Sequence, residues 1–230
     1  MVYKNNDFIL IEYTTSVKLD DKNREVFDTT SKEIAREHNI FREDKIYEPK
    51  LVIIGGSYIL KAVNKQLADF EINRKDVIEV LPKDAFGRRD HSKFTTISLR
   101  KLAKQNIHPK LGAIISLGIR RKAVVRSITA GRVLLDFNHP YAGKTLIYDL
   151  KVIKQCRTTI EKIMALVHHR LPLVNVKQFK IDLGKDNLKI YPPEEIYYLE
   201  GIQLAKRGLA SDIKRYISKL DKIIFIEEFK

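Results

Sequence analysis

The 230-residue chain has a single cysteine, Cys156, and that scarcity removes several architectures at once. One thiol cannot close an internal disulfide, and with no C-x-x-C neighbour it offers no cysteine zinc site. A buried structural thiol in a reducing compartment is expected. No apolar run approaches the roughly 18 residues of a membrane-crossing helix. The N-terminal MVYKNNDFILIEY is too weakly apolar for a secretory signal and lacks a small-residue cleavage site, so a cytoplasmic location is expected. Phosphate-loop spacing is missing from IIGGSYILK, and no serine sits in a G-x-S-x-G elbow. His168 and His169 are adjacent, hence about 100° apart on a helix, which rules out chelation by an i, i+4 pair. They read as partly packed or solvent-facing histidines. No metal and no cofactor is expected.

Positive charge, in contrast, is plentiful. Apolar residues make up 44% and charged residues 31% of the chain, as in a globular protein with a real core, and the net charge is +14. Residues 1–90 are nearly balanced, with 16 basic and 17 acidic side chains, whereas residues 91–140 hold 10 basic side chains and one acid, Asp136. Such concentration points to a separate unit with an anionic or electrostatically selected partner. A lysine-rich thermophile surface is the plain alternative. No low-complexity tract or internal repeat is visible.

Patterning supplies the elements. DFILIEYTTSVKL reads as a strand, DDKNREVFD as a turn and a second strand, and SKEIAREHNI as a short helix that Asp28, Thr29 or Thr30 caps. PKLVIIGGSYIL is an apolar strand broken by two glycines, AVNKQLADF a short amphipathic helix, and KDVIEVL a strand stopped by Pro82. In the basic segment, TTISLRKLAKQN reads as a strand and a short helix, and GAIISLG, KAVVRSIT and RVLLDFN as short strands: a compact β unit. KTLIYDLKVI then returns to the earlier type of strand. From Cys156 on the chain alternates helix and strand, ending in a long amphipathic helix (EGIQLAKRGLASDIKRYISKL) and a strand (KIIFIEEF). The expected fold class is α+β, in three parts: 1–90 with 138–154, an inserted 91–137, and 155–230.

With no nucleophile, base or metal in view, the ordered motifs FDTT, PKDAFGRRD and DFNHPYAGKTLIYD become informative. Together with EYTTSV and YEPKLVIIGGSYILKAVNKQLADF they resemble the FKBP-type peptidyl-prolyl isomerases, in particular the long, archaeal, SlyD-like form. The resemblance covers roughly residues 5–154 and runs more loosely to the C-terminus. It implies a curved antiparallel sheet wrapped on a short helix, a β-rich chaperone domain inserted in the flap, and an α+β C-terminal extension.

Such an enzyme forms no covalent bond. The uncatalysed barrier to peptide rotation is about 18–20 kcal/mol because amide resonance must be broken. The planar amide is the more charge-separated form, so a dry groove favours the twisted transition state. The resemblance implies that Phe27 walls the groove and that Asp28, at its edge, fixes Tyr13 by a hydrogen bond. Ile59 and Leu60 form the floor, with the Leu60 N–H as donor to the substrate carbonyl. Val63 lies at the base, and Phe86 and Tyr148 close the other side. From the residues alone, Val26, Phe27, Ile59, Val63 and Tyr148 read as plain core.

Some positions depart from the family pattern. Two customary glycines fall at Ser57 and Ala62, where a left-handed backbone would cost about 1 kcal/mol or more. Asn73 replaces a turn glycine, Lys50 stands at a rim position that is often apolar, and Phe86 replaces a frequent tyrosine. The resemblance implies unfolded or proline-containing polypeptides as clients, held by the insert, whose GIRRKAVVRSI alternates basic and apolar residues and suits acidic strands. FNHPYAGK is the return hinge, with His139 a turn hydrogen-bonding residue. The alternative is a chaperone or binding protein with little or no catalysis, ribosome- or RNA-associated through the basic insert. RNA motifs and stacking aromatics are lacking, so nucleic acid is not the expected partner.

Overall fold

The computed structural model describes residues 2–118, 121–217 and 220–229. Ile119 and Arg120 of the GIRRK run, and Ser218 and Lys219 at the end of the last helical pattern, lie outside the described residues. The chain divides into two compact units, Met1–Glu79 with Ile147–Lys230, and Val80–Leu146. The second is wider than the expected 91–137 insert.

Strand alternation builds the first sheet. β1 (Phe8–Lys18) pairs antiparallel with two strands: its second half with β2 (Arg24–Thr29), its first half with β3 (Lys50–Ile53), in the register Phe8↔Ile53 to Ile11↔Lys50. β9 (Leu146–Cys156) lies between β1 and β4 (Lys75–Val80). On β2, Asp28 faces Thr15 and Val26 faces Ser16, which leaves Phe27 as the extra residue of a β-bulge. Between β2 and β3 lies α1 (Lys32–Glu37). Its cap differs from expectation: Ser31 is the N-cap, its Oγ accepting the Ile34 N–H, because Thr29 and Thr30 are engaged by β1. α2 (Lys61–Leu67) buries Val63, Asn64 and Leu67.

Both faces of β1 are covered. Phe8, with Leu51 and Ile53 of β3, joins a core with Leu166 of α4 (Thr159–Arg170), Leu209 and Ile213 of α5 (Ile202–Tyr216) and Leu188 of β11 (Asn187–Tyr191). Ile9, Ile11 and Tyr13, the alternate residues, are buried on the opposite face. The C-terminal elements and the first strands thus share one apolar core. β11 pairs antiparallel with β10 (Lys180–Leu183) and parallel with β12 (Lys222–Phe225), α5 supplying the crossover a parallel pair requires. A capping box starts α4: Thr158 accepts the Glu161 N–H, and the Glu161 carboxylate accepts the Thr158 N–H.

The second unit is a sheet in the order β5-β8-β7-β6, formed by β5 (Phe94–Ser98), β6 (Ile114–Leu117), β7 (Arg121–Thr129) and β8 (Arg132–Asp136). The short helix α3 (Leu99–Ala103) contributes Leu102 to a core with Ile115, Ala123, Val125, Val133 and Leu135. β7 carries a bulge at Arg126, since Val125 faces Leu135 and Ser127 faces Leu134. Arg126 Nε reaches the buried Asp136 carboxylate at 3.0 Å, Arg89 lies 3.4 Å from it, and the Asn138 N–H donates to it at 2.9 Å. Among the described residues no helix is long and apolar enough to cross a membrane.

Candidate active site

The β1–β2 pairing explains FDTT. Asp28 lies opposite Thr15, so its side chain leaves the sheet on the face that also carries Tyr13. Tyr13 Oη donates to Asp28 Oδ2 at 2.8 Å. The threonines hold the Tyr13 backbone: its N–H donates to Thr30 Oγ1 at 2.9 Å, and its carbonyl accepts from the Thr30 N–H at 2.9 Å and the Thr29 hydroxyl at 3.1 Å. Burial first, and then the Asp28 carboxylate, push the Tyr13 phenol far above its ordinary value, so it remains a donor. Tyr148 is also buried, its ring 6.4 Å from that of Tyr13, and burial raises its phenol too.

Lys45 completes the group. Its ammonium pairs with Asp28 and donates to the Thr29 carbonyl at 2.7 Å. Nothing local in EDKIYEP marks this lysine, because the contact spans 17 positions and depends on where the 42–47 connection returns. Lys50 extends over the Tyr13 ring, its Nζ 5.8 Å from the centroid.

Asn64 of α2 sets the turn that leads to the expected floor. Its Oδ1 accepts the Gly55 N–H at 2.7 Å and its amide donates to the Ile53 carbonyl at 2.8 Å. Gly55 has φ +79°, a left-handed conformation that glycine adopts without strain. Ser57 and Ala62 differ from expectation: neither has positive φ, so the missing glycines impose no left-handed strain there. Asn73 does adopt the left-handed conformation, φ 66°. Leu60 is the N-cap residue of α2 without a side-chain cap, and among the described residues its N–H finds no acceptor. Ile59, Leu60 and the bulge residue Phe27 are half-buried, and Val63 is fully buried.

Tyr13, Asp28 and Tyr148 are therefore brought together. Phe86 belongs to the second unit, where its ring stacks on His139 at 3.8 Å. His139 Nδ1 accepts the Tyr141 N–H at 3.3 Å, the turn role expected of it, and burial lowers its basicity, which favours that neutral acceptor. Two cavities flank Tyr13. One, of about 850 Å³, runs past Thr30, Ile34, Tyr47 and Val77; the other, of about 740 Å³, runs along Leu51 and α4. Phe27, Ile59 and Leu60 line neither. His168 bonds Glu48 at 2.7 Å and His169 packs 4.9 Å from the Tyr58 ring, both as partly packed histidines. Burial raises the Cys156 thiol, as in a structural cysteine.

Family models match two segments: the FKBP26 IF domain over residues 96–141 and the FKBP26 C-terminal domain over residues 159–230. The chain belongs to the FKBP-type peptidyl-prolyl cis-trans isomerases. A short-type peptidyl-prolyl cis-trans isomerase of Methanocaldococcus jannaschii is 29% identical over 150 residues, which is 65% of this chain and 91% of that protein. The FKBP-type 16 kDa isomerase of Escherichia coli K12 is 25% identical over 155 residues, 66% of this chain and 92% of its own. The FKBP-type isomerase SlyD of Helicobacter pylori is 24% identical over 123 residues, 53% of this chain and 66% of that protein. These FKBP-type relatives fit the mixed α+β architecture, with its antiparallel pairs and few helices.

Proposed function

We propose that the FKBP-type site around Tyr13, Asp28 and Tyr148 catalyses rotation of the peptide bond before a client proline, without covalent chemistry, and that the second unit holds unfolded clients. The observation that carries the catalytic reading is the partly buried Tyr13–Asp28 hydrogen bond, backed by Lys45. In this reading the rim meets a proline ring, and Phe27, Ile59, Leu60 and Val63 are the expected apolar walls. Desolvation disfavours the polar planar amide, and the open Leu60 N–H is the donor for the substrate carbonyl as the bond twists. The test is NMR exchange between the cis and trans forms of an Xaa-Pro peptide. Exchange accelerated by catalytic amounts of the protein supports the reading, and an unchanged rate refutes it.

Support for the chaperone reading comes from the β6 edge of the second sheet. Register puts Ile114, Val124, Asp136 and Phe94 in one row across its four strands, on the face away from the α3 core. Ile114 is 64% exposed and stands on the edge strand β6. An extended client adds to such an edge through backbone hydrogen bonds while its side chains meet Ile114 and the half-buried Val124. The surrounding basic residues favour acidic clients. Because the insert is covalently tied to the isomerase segment, a held client has a raised local concentration at Tyr13. Suppression of aggregation by the intact chain, weakened by Ile114→Asp, tests this.

A further inference from the structure

The 740 Å³ cavity beside α4 is unused by the isomerase mechanism, although Tyr13 forms part of its wall. Its lining is mainly apolar: Leu10 and Leu51 from the sheet, Ile46 and Pro49 from the preceding connection, Ile160 and Met164 from α4. Ile160, Met164 and His168 recur every four residues and form one stripe about 12 Å long, the reach of three to four residues of extended chain. Ile46 and Ile160 are 37% and 41% exposed, so apolar surface is left open to solvent along this trough.

The charges at its rim are almost all paired. Lys154 bonds Glu161 at 2.6 Å, His168 bonds Glu48 at 2.7 Å, Arg42 bonds Asp44 at 2.8 Å, and Lys45 pairs with Asp28. Lys50 is the exception, an exposed cation above the Tyr13 ring with no carboxylate partner among the described residues. One spare positive charge therefore stands where the trough meets Tyr13.

We propose that this trough is a substrate exosite. It takes three to four residues of the same polypeptide whose proline enters the isomerase site, with aliphatic side chains on Ile46, Ile160 and Met164 and a carboxylate beside Lys50. The inference rests on the isomerase reading and adds a sequence preference to it: apolar residues with an acidic neighbour, a few positions from the proline. Open to solvent, the trough suits an extended chain, and Tyr13, which lines it and bonds Asp28, is the side chain it shares with the proposed isomerase site. Withdrawing one aliphatic side chain halfway from water improves kcat/KM about tenfold. The Lys50 contact is exposed and weakens with salt.

Exchange rates on peptides sharing one Xaa-Pro bond test this. A tetrapeptide is compared with longer peptides carrying Leu-Leu-Glu on the N-terminal or the C-terminal side, and with their Leu-Leu-Lys counterparts. The intact chain is expected to turn over one of the acidic peptides about tenfold better than the tetrapeptide, and better than its lysine counterpart. In Ile160→Glu/Met164→Glu, that ratio falls to about one. A ratio near one in the unaltered chain, or a full ratio kept in the variant, overturns the exosite. If no peptide is turned over, the isomerase reading fails. Fluorescence titration with the acidic peptide, its proline replaced by alanine, then decides the exosite: weaker binding to the variant supports it, and equal binding overturns it. If the double variant does not fold, Ile160→Glu alone, at an exposed position, gives the same comparison. Displacement of the bound peptide by dodecanoate at lower concentration than by unlabelled peptide would mark a fatty-carboxylate site instead.

Discussion

Tyr13 donates to Asp28 at 2.8 Å, and the same carboxylate pairs with Lys45, so three side chains from separate segments meet at one rim. Removing the phenol oxygen leaves the Asp28–Lys45 pair intact. Removing the carboxylate leaves two groups without their partner. Asp28→Ala is therefore expected to lower stability by about 1–3 kcal/mol, and Tyr13→Phe by about 1 kcal/mol, in denaturant unfolding. Both reduce isomerase kcat/KM, Asp28→Ala the more.

Ala130 and Gly131 form the two-residue turn between β7 and β8, with φ 48° and 74°. Such a turn needs positive φ at both positions, which alanine adopts only with strain. Ala130→Gly and Ala130→Asn are expected to raise insert stability by up to about 1 kcal/mol, seen as a higher unfolding midpoint. A lower midpoint for both would show that the turn is not strained.

Asp136 is buried at 1% exposure beside Arg89, Arg126 and Asn138. Burial alone would raise its carboxyl, but the hydrogen bonds from Asn138 and Arg126, with the nearby Arg89, hold it below the ordinary aspartate value. A carboxyl depressed in the folded state contributes stability that is complete above its unfolded value and is lost as pH falls through the folded one. Asp136→Ala is expected to destabilise the second unit by about 1–3 kcal/mol at neutral pH, by removing the acceptor of the Asn138 N–H and of two partly exposed guanidinium groups. The difference from wild type narrows on acidification, measurable as urea midpoints across pH.

Glu161 is held at about 2, below its ordinary 4.5, first by the Lys154 ammonium and then by the Thr158 and Arg157 N–H groups. Its contribution is complete above 4.5 and fades as pH falls toward about 2. Thr158→Ala removes the other half of the capping box and is expected to cost about 1 kcal/mol. Hydrogen exchange in the first turn of α4 reports it.

Period and punctuation in the sequence carry most of the fold. FILIEYTTSVK and LIYDLKVIKQC are long β-branched runs, and β1 and β9 follow them. TIEKIMALVHHR has helical spacing behind a threonine cap, and α4 follows it. What local pattern does not encode is meeting over distance. Lys45 reaches Asp28 only after an intervening helix and turn, and the Phe27 bulge exists only relative to β1. Ser31 caps α1 because Thr29 and Thr30 are taken by the Tyr13 backbone, a competition visible only once β1 and β2 are paired. Ser57 and Ala62 stand at glycine positions of the family pattern, yet neither has positive φ, and Ala62 lies in the first turn of α2. The trough beside α4 is equally non-local, since its walls come from β1, β3, the 44–50 connection and α4.

In the proposed mechanism, the half-buried rim of Phe27 and Asp28 accelerates rotation about the prolyl bond. The direct measurement is cis/trans exchange of one Xaa-Pro tetrapeptide with the intact chain and with Phe27→Ala/Asp28→Ala, the variant first confirmed folded by its far-UV circular dichroism. A loss of about tenfold or more in kcat/KM for the variant is predicted. Equal acceleration by the two proteins would contradict the account.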